Sequence, residues 1–280
     1  MRYLTTILIL TCLANTAIAG LDADTKYDDT IAVYYFNNNQ DSGPRGFHLN
    51  FGGNSELAGG NDEITATISD NGRIGNALQL TDTGCLCGYY EDESLSIVGA
   101  EFSIVAWVKM RKQEYQFSMS AEGWGSDDSQ HRSGMVALTV NTDGNLIGTL
   151  ERGLTRANMS TNAWDNTQQD VANNRWHHIA FTQYANYLNL FVDGKLVKRE
   201  KLDSYLGFIG NSALIRVHYH GEIKGSILMD DLGFFETGFS PYEIKALRNS
   251  KMGLKEFLEV MPVDPTDKMA TTWGSMKSRR

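Results

Sequence analysis

The stretch FSIVAWVKM, residues 102–110, decides the fold class of this chain. Successive side chains of a strand point to opposite faces of its sheet. One face of this stretch would carry Phe102, Ile104, Ala106 and Val108, and the other Ser103, Val105, Trp107 and Lys109. Because apolar side chains occur on both faces, the stretch predicts a central strand of a β-sandwich, with Trp107 largely buried.

Similar strand signals recur on both sides of this stretch, separated by residues that favour turns. The segment 141–144 (NTDG) predicts a hairpin between 135–140 and 145–151, and Asp193-Gly194 predicts another turn. Further strand signals cover residues 30–36, 63–68, 77–80, 176–184, 188–192, 196–201 and 226–235. Residues 43–62 are rich in Gly and Asn and predict a long loop. Many short strands at this spacing are typical of an antiparallel sandwich.

A helix start signal occurs only near the C-terminus. Ser240, Pro241 and Glu243 occupy the N-cap, first and third positions of a capping box, which predicts a helix to about Asn249. Residues 254–260 add one or two helical turns. The sequence therefore predicts an all-β fold, an antiparallel two-sheet sandwich with a short C-terminal helix.

Composition and the N-terminus indicate an exported protein. Lys and Arg number 25 against 34 Asp and Glu, a net charge of −9 that argues against nucleic-acid binding. Arg2, an apolar run over 4–14 and the small residues Ala17 and Ala19 before Gly20 predict a signal peptide, residues 1–19. We expect one domain over 20–250, a C-terminal helical turn and extended tail over 251–280, and a secreted, extracellular or periplasmic location. No later stretch is apolar enough to span a membrane.

Two cysteines, Cys85 and Cys87, remain after the signal peptide. Export favours a disulfide. The two side chains would share one face of a strand, so a strained bridge and two free thiols both remain open.

Four pieces in a fixed order carry a family resemblance. The first three are IAVYYF (31–36), GRIGNALQL (72–80) and FSIVAWVK (102–109). The fourth runs from RWHHIA (175–180) through LNLFVDG (188–194) and closes at MDDLGFF (229–235). Over roughly residues 30–249 the chain resembles the laminin-G-like, concanavalin A-like lectin/glucanase domains, which include pentraxins. The resemblance implies a jelly roll of two antiparallel sheets that binds carbohydrate or protein. It also implies that a structural calcium ion is common.

A calcium site is expected where acidic and amide side chains meet. A carboxylate within the apolar stretch 226–235 is costly unless it is paired or binds a cation, and calcium takes six to eight oxygen ligands. The candidate ligands are Asn37, Asp70, Asn71, Asp230 and Asp231. In the alternative, one of the two adjacent aspartates faces solvent and the other accepts hydrogen bonds from backbone N–H groups.

The candidate ligand-binding residues lie in two polar segments, GWGSDDSQ (123–130) and NAWDNTQQD (162–170). Sugar rings stack on aromatic side chains while carboxylates bind hydroxyl groups. The candidates are Trp124, Trp164, Asp127, Asp128 and Asp165. In the alternative, the two tryptophans only anchor their loops to the sandwich.

Catalytic signatures are missing from the sequence. The acidic residues do not alternate as a glycosidase strand needs, since Glu91-Asp92-Glu93 and Asp230-Asp231 are contiguous. His218 and His220 share a strand face, but two ligands are too few for zinc. The leading hypothesis is a secreted, non-catalytic recognition module for a glycan or extracellular polymer. The second is a structural or adhesion module that binds an extracellular protein, and the third is a glycan-degrading enzyme.

Overall fold

The computed structural model of the chain describes residues 29–38, 40–49, 66–81, 84–90, 95–97, 101–124, 132–152, 155–160, 170–202, 208–219 and 223–260. Within these ranges strands dominate, and two short helices follow them. No helix there is both long and apolar enough to cross a bilayer. The expected signal peptide (1–19), the expected loop beyond residue 49 and the tail beyond residue 260 lie outside the described residues.

The larger sheet has eight antiparallel strands. Its spatial order is β13 (Lys195–Lys201), β12 (Tyr187–Val192), β11 (His177–Tyr184), β6 (Phe102–Lys109), β16 (Ile227–Phe235), β3 (Ala77–Leu80) and β2 (Ala66–Ser69), and β1 (Thr30–Tyr34) also pairs with β16. The strand predicted to be central, β6, lies between β11 and β16. Trp107 is 3% exposed, as predicted.

The second sheet has six antiparallel strands. Its order is β10 (Thr155–Ser160), β9 (Leu146–Arg152), β8 (Arg132–Val140), β7 (Phe117–Trp124), β15 (Ser212–Tyr219) and β4 (Gly84–Tyr90). A small pair, β14 (Phe208–Gly210) and β5 (Leu95–Ile97), packs against β7 and β8. The predicted hairpin around residues 141–144 is confirmed as β8 and β9.

Apolar residues are buried on both faces of the eight-stranded sheet. The main core lies between the two sheets and includes the predicted inner face of β6. On the opposite face, Val105, Phe191 and Phe235 belong to a second cluster with the helices α1 (Pro241–Asn249) and α2 (Gly253–Val260). The fold therefore has three layers, with the helices covering one side of the sandwich. This explains why β6 is apolar on both faces.

Helix α1 begins as its sequence predicts. The Ser240 hydroxyl accepts a hydrogen bond from the backbone N–H of Glu243 at 3.3 Å, and the Glu243 carboxylate accepts one from the backbone N–H of Ser240 at 2.7 Å. Pro241 occupies the first turn. This capping box fixes the point at which the chain leaves the sheet and crosses over it.

Asp41 ties the segment after β1 to the sandwich. Its carboxylate accepts hydrogen bonds from the backbone N–H groups of Val33 and Gly43, both at 2.7 Å, and of Phe47 at 2.9 Å. Burial raises the pKa of this carboxyl above its ordinary value, although the three N–H groups act in the opposite direction. A single buried side chain thus organises the described part of the expected loop.

Candidate functional site

The six-stranded sheet presents an alternating row of side chains on the face directed away from the main core. We call this surface the outer face. Its members on the two neighbouring central strands are Ser118, Ser120, Glu122 and Trp124 of β7, and Arg216 and His218 of β15. The residues between them, such as Met119 and Ile215, point into the core. The helices α1 and α2 lie over the other sheet, and the outer face also carries apolar residues, since Leu214 and Met135 stand opposite Glu122 in the strand register.

Glu122 lies at the centre of the outer face and is 1% exposed. Its Oε1 accepts hydrogen bonds from the Ser120 hydroxyl at 3.0 Å and from Nε and Nη2 of Arg216 at 3.0 and 2.5 Å. Its Oε2 accepts one from the indole N–H of Trp124 at 3.3 Å. Three neighbours therefore hold this carboxylate, and the carboxylate in turn orients the Trp124 ring.

More polar groups continue the outer face along the neighbouring strands. The Ser118 and Thr139 hydroxyls are 2.9 Å apart and form a hydrogen bond across β7 and β8. Thr149 and Glu151 of β9 lie on the same face, 8% and 9% exposed. Hydroxyl, carboxylate, guanidinium and indole groups thus form one closely packed polar surface.

Cys87 of β4 stands directly opposite Arg216 in the strand register, on the same face. Cys87 forms a disulfide, so the expectation of two free thiols does not hold for this residue. The side chain of Cys85 lies outside the described residues.

Trp124 is the one predicted ligand-binding residue that the structure describes. The sequence placed it in a loop, but it is the last residue of β7, because its backbone pairs with Ser212 of β15. Its carbonyl accepts hydrogen bonds from the Asn211 N–H at 2.9 Å and the Ser212 hydroxyl at 3.2 Å. The ring is half-buried. The other four candidates, Trp164, Asp127, Asp128 and Asp165, lie outside the described residues.

The two adjacent aspartates of β16 occupy an interruption of the sheet. β3 pairs with β16 up to Met229 and β1 pairs with it from Leu232, so Asp230 and Asp231 lie between these two partners. A bulge against β6 begins at Asp230, and Asp231 has a positive φ of 50°. This bulge turns both carboxylates towards backbone N–H groups of neighbouring segments.

Each carboxylate holds a different segment. Oδ2 of Asp230 accepts a hydrogen bond from the backbone N–H of Ile74 at 2.7 Å. Oδ2 of Asp231 accepts one from the N–H of Leu254, in the first turn of α2, at 3.0 Å. Both residues are buried, at 0% and 4% exposure, so neither faces solvent as the alternative prediction required of one of them. The same alternative expected a carboxylate bound to backbone N–H groups, and both aspartates have this role.

Burial raises the pKa values of both carboxyls. For Asp230 the net result is a pKa of about 6. Burial raises this pKa, while backbone N–H groups, Ile74 first among them, and the Arg73 charge lower it. The pKa of Asp231 rises to about 7, because the negative charge of Asp230 adds to the effect of burial. The Arg73 guanidinium lies 4.7 Å from the ring centroid of Trp107, which is opposite Asp230 in the strand register.

The expected calcium ligands form no oxygen-rich shell in the described part of the chain. Asn37, Asp70 and Asn71 are exposed, and the last two hydrogen-bond to each other at 3.1 Å. Asp230 and Asp231 supply two carboxylates that already bind N–H groups and lie in the field of the Arg73 cation. The described residues contain no cluster of three or more His, Cys, Asp or Glu side chains suited to a metal ion. This donor set does not fit calcium, which takes six to eight oxygens.

Calcium binding by the whole chain stays a prediction, and it has a direct test. If an ion binds the native state, adding calcium should raise the melting temperature by mass action, and a chelator should reverse the rise. Differential scanning calorimetry with calcium and then with chelator measures this. An unchanged melting temperature in both conditions would contradict calcium binding to the native state.

We expect the aspartate pair to contribute more to the free energy of unfolding as the pH falls. Because the pKa values of Asp230 and Asp231 are raised, the folded state binds more protons than the unfolded state between about pH 7 and pH 4. This contribution is absent above about pH 7 and present below about pH 4. Asp231→Asn removes one titrating group while keeping an amide oxygen for Leu254 and a residue type that tolerates positive φ.

We expect the stability of the wild type relative to Asp231→Asn to rise on acidification. The rise from pH 8 to pH 5 should be on the order of 2–3 kcal/mol, given about 1.4 kcal/mol per pH unit for each proton taken up. Urea unfolding at both pH values measures it. Asp143→Asn, in an exposed turn, is the matched control and should show no comparable change. A stability difference that is the same at both pH values would contradict a raised pKa of Asp231 in the folded state.

The histidines show no metal site in the described residues. His177 hydrogen-bonds to Asp193 Oδ2 at 2.9 Å and to Asn173 Oδ1 at 3.0 Å. His178 is 1% exposed beside Trp107, and burial lowers its pKa to about 3. Both residues therefore stabilise the local structure of β11. His218 lies on the outer face, and its predicted companion His220 lies outside the described residues.

At low sequence identity, the sandwich is similar to solved binding domains that belong to toxins. The binding domain of Paraclostridial Mosquitocidal Protein 1 is 14% identical, with a TM-score of 0.57 over 80% of this chain and 52% of that one. The botulinum neurotoxin serotype G binding domain is 16% identical, with a TM-score of 0.54 over 78% and 50%. The botulinum neurotoxin serotype D ligand binding domain, solved with N-acetylneuraminic acid, is 12% identical, with a TM-score of 0.50 over 79% and 51%. This chain spans about half the length of these structures, and at such identities the likeness concerns the fold.

No curated protein matches the sequence. A family profile does match it, over residues 88–245, which is more than half of the chain. The matched region includes β6 and ends within α1. The chain therefore belongs to the concanavalin A-like lectin/glucanases superfamily, and its two antiparallel sheets form the jelly-roll sandwich that the sequence resemblance implied.

Proposed function

We propose that this protein is a secreted, non-catalytic recognition module that binds a glycan or another extracellular polymer. The observation that carries the proposal is Trp124, which Glu122 holds half-buried at the edge of the polar outer face. An indole fixed in this way offers stacking area with little loss of side-chain entropy on binding. Export rests on the signal-peptide pattern of residues 1–19.

The condition of Glu122 supports binding rather than catalysis. A glycosidase needs two carboxylates that face one glycosidic bond, one of them free to transfer a proton. Both oxygens of Glu122 accept hydrogen bonds within the protein. Glu151 is the other described carboxylate on this part of the sheet, and Met135 of β8 stands between the two in the strand register. This arrangement favours an anchoring role for Glu122 over an acid–base role.

The comparisons support the same choice. Each of the three similar structures is a binding domain or a ligand binding domain by name, and one of them was solved with an acidic sugar. The matched family includes both lectins and glucanases. An extracellular protein as ligand is the second candidate, and the outer face could also accommodate one.

Replacing Trp124 is the sharpest test of the proposal. With a ligand found on a glycan array, Trp124→Ala should weaken binding by about 1–3 kcal/mol, because a stacking anchor is lost. Trp124→Phe should lose less, since it keeps an aromatic ring and gives up only the hydrogen bond to Glu122. Isothermal titration calorimetry measures both losses.

The matched control is Tyr242→Ala, which removes an aromatic ring that is 67% exposed on α1, away from the outer face. It should bind like the wild type. If folded Trp124→Ala also binds like the wild type, the binding surface lies elsewhere. If the array shows no ligand, and the wild type captures an extracellular protein that the Trp124→Ala variant does not retain, the second candidate replaces the first. Reducing-sugar release from the bound polymer would contradict the non-catalytic assignment.

A further inference from the structure

The edge strand β13 concentrates positive charge in a protein that carries a net charge of −9. Its seven residues, KLVKREK, contain four basic side chains and one acidic side chain. The basic residues are Lys195, Lys198, Arg199 and Lys201, and we call them the basic edge. Three of them are exposed and Lys198 is half-buried. Lys245 of α1 adds an exposed cation beside the turn that leads into β13, since its Cα would lie 3.4 Å from a Cβ placed on Gly194.

The position of β13 places these charges along one edge of the sheet, on both sides of the strand. It is the terminal strand of the eight-stranded sheet, paired only with β12 in that sheet's order. Arg199 and Lys201 stand opposite Asn189 and Tyr187, on the face that carries the helices. Lys198 stands opposite Leu190, on the other face. At about 3.3 Å per residue the strand spans roughly 20 Å, so the charges follow an extended path.

Arg199 is held in place by the protein. Its Nε donates a hydrogen bond to Asn189 Oδ1 at 2.8 Å, and its guanidinium carbon lies 5.0 Å from the ring centroid of Tyr187. Asn189 is fully buried, and its amide nitrogen donates to the Tyr187 carbonyl at 3.0 Å. One N–H edge of the guanidinium is thus used for positioning. The terminal nitrogens are left at the surface, where a planar fork suits a carboxylate or sulfate group.

Protection of the sheet edge does not account for this arrangement. Charged residues on an edge strand prevent pairing with other chains, and the lysines serve that purpose. That purpose requires neither a buried asparagine to fix an arginine nor a tyrosine beneath it. Lys198 Nζ lies 3.7 Å from Glu200 Oε1, while a fixed arginine beside the exposed Lys201 matches the way in which proteins recognise anionic groups.

We propose that the basic edge binds an anionic polysaccharide, with Arg199 as the positioning contact and Lys195, Lys198 and Lys201 as further charge contacts. This inference rests on the proposed function and names a ligand class, although β13 and Trp124 belong to different sheets. The bound polymer carries carboxylate or sulfate groups along an extended chain. Binding weakens as salt rises, because exposed charges are screened.

Dextran sulfate and neutral dextran test the proposal, since they share a backbone and differ in charge. We expect the full-length protein to bind immobilised dextran sulfate at low salt, to release it at high salt, and to ignore neutral dextran. The triple variant Lys198→Gln/Arg199→Gln/Lys201→Gln should lose roughly tenfold or more in affinity. Arg199→Lys should lose severalfold, because it keeps the charge and gives up the fork.

The matched control is Lys112→Gln/Lys224→Gln/Lys251→Gln, which removes the same charge from exposed positions outside β13. It should retain most of the affinity, and melting temperatures should show that all variants fold. An equal loss in both triple variants would show that net charge alone acts, and would overturn the proposal. So would an absence of dextran sulfate binding, or tighter binding to phosphatidylserine vesicles that the β13 variant abolishes. Neutral-glycan binding through Trp124 in a protein that does not bind dextran sulfate would refute this inference and leave the proposed function standing.

Discussion

Gly253→Ala should lower the free energy of unfolding by about 3 kcal/mol or more. Gly253 begins α2 with a positive φ of 63°, where a side chain is strained. A Cβ atom there would lie 1.5 Å from Asp231 Oδ2, the atom that accepts the Leu254 N–H bond. The carboxylate would have to move, which would break the hydrogen bond that holds α2 against β16. Urea unfolding measures the loss.

Gly225→Ala is the matched control for this substitution. Gly225 also has a positive φ, 86°, but a Cβ there would meet no atom within 4 Å. Gly225→Ala should therefore lower the free energy of unfolding only through backbone strain, by about 1–2 kcal/mol. The difference between the two variants isolates the contact with Asp231. Equal losses would mean that the carboxylate moves without cost and that its bond to α2 contributes little.

Arg216→Met should lower the free energy of unfolding by about 3–5 kcal/mol. The substitution takes the Arg216 guanidinium away from Glu122, which is 1% exposed, while the hydrogen bonds from Ser120 and Trp124 are kept. A buried charge without its partner costs far more than the pair contributes when both are present. Chemical unfolding monitored by fluorescence measures the loss.

The double variant Glu122→Gln/Arg216→Met decides whether the pair is coupled. It removes both charges while keeping an amide oxygen for the Trp124 and Ser120 donors. We expect it to be more stable than Arg216→Met alone, because no isolated charge remains. If the loss of unfolding free energy in the double variant equals the sum of the losses in Glu122→Gln and Arg216→Met, the two residues act independently. In that case the outer face is not organised around this pair.

The elements that could be predicted from sequence are those determined by local pattern. β6, the hairpin at 141–144 and α1 each carry their signal within a few neighbouring residues, and the structure confirms all three. β7 was not predicted, because its sequence FSMSAEGW contains Ser and Gly, which form strands poorly. Its pairing with β8 and β15 overrides that local preference.

The candidate site was harder to predict because its parts are far apart in the chain. Glu122 and Arg216 are 94 residues apart, and nothing in the sequence states that β7 and β15 are neighbours. The alternation of Ser118, Ser120 and Glu122 was the available signal, but it stood outside the recognised strands. The aspartates of β16 were recognised because a charge inside an apolar stretch is costly. Their binding to Ile74 and Leu254 depends on a bulge that the sequence does not reveal.

The pairing of β1 with β16 has a consequence for how the chain acquires its structure. Thr30 lies opposite Phe235 and Tyr34 opposite Leu232, so the first described strand is completed by the last. β16 is also the partner of β6 and β3, so without it the larger sheet is in three unconnected parts: β13 to β6, the pair β3 and β2, and β1. Contacts of such long sequence separation form slowly, because loop closure must precede the gain from burial. Folding therefore waits for synthesis to pass residue 235, and until then the apolar edges of β6 and β1 are exposed to aggregation.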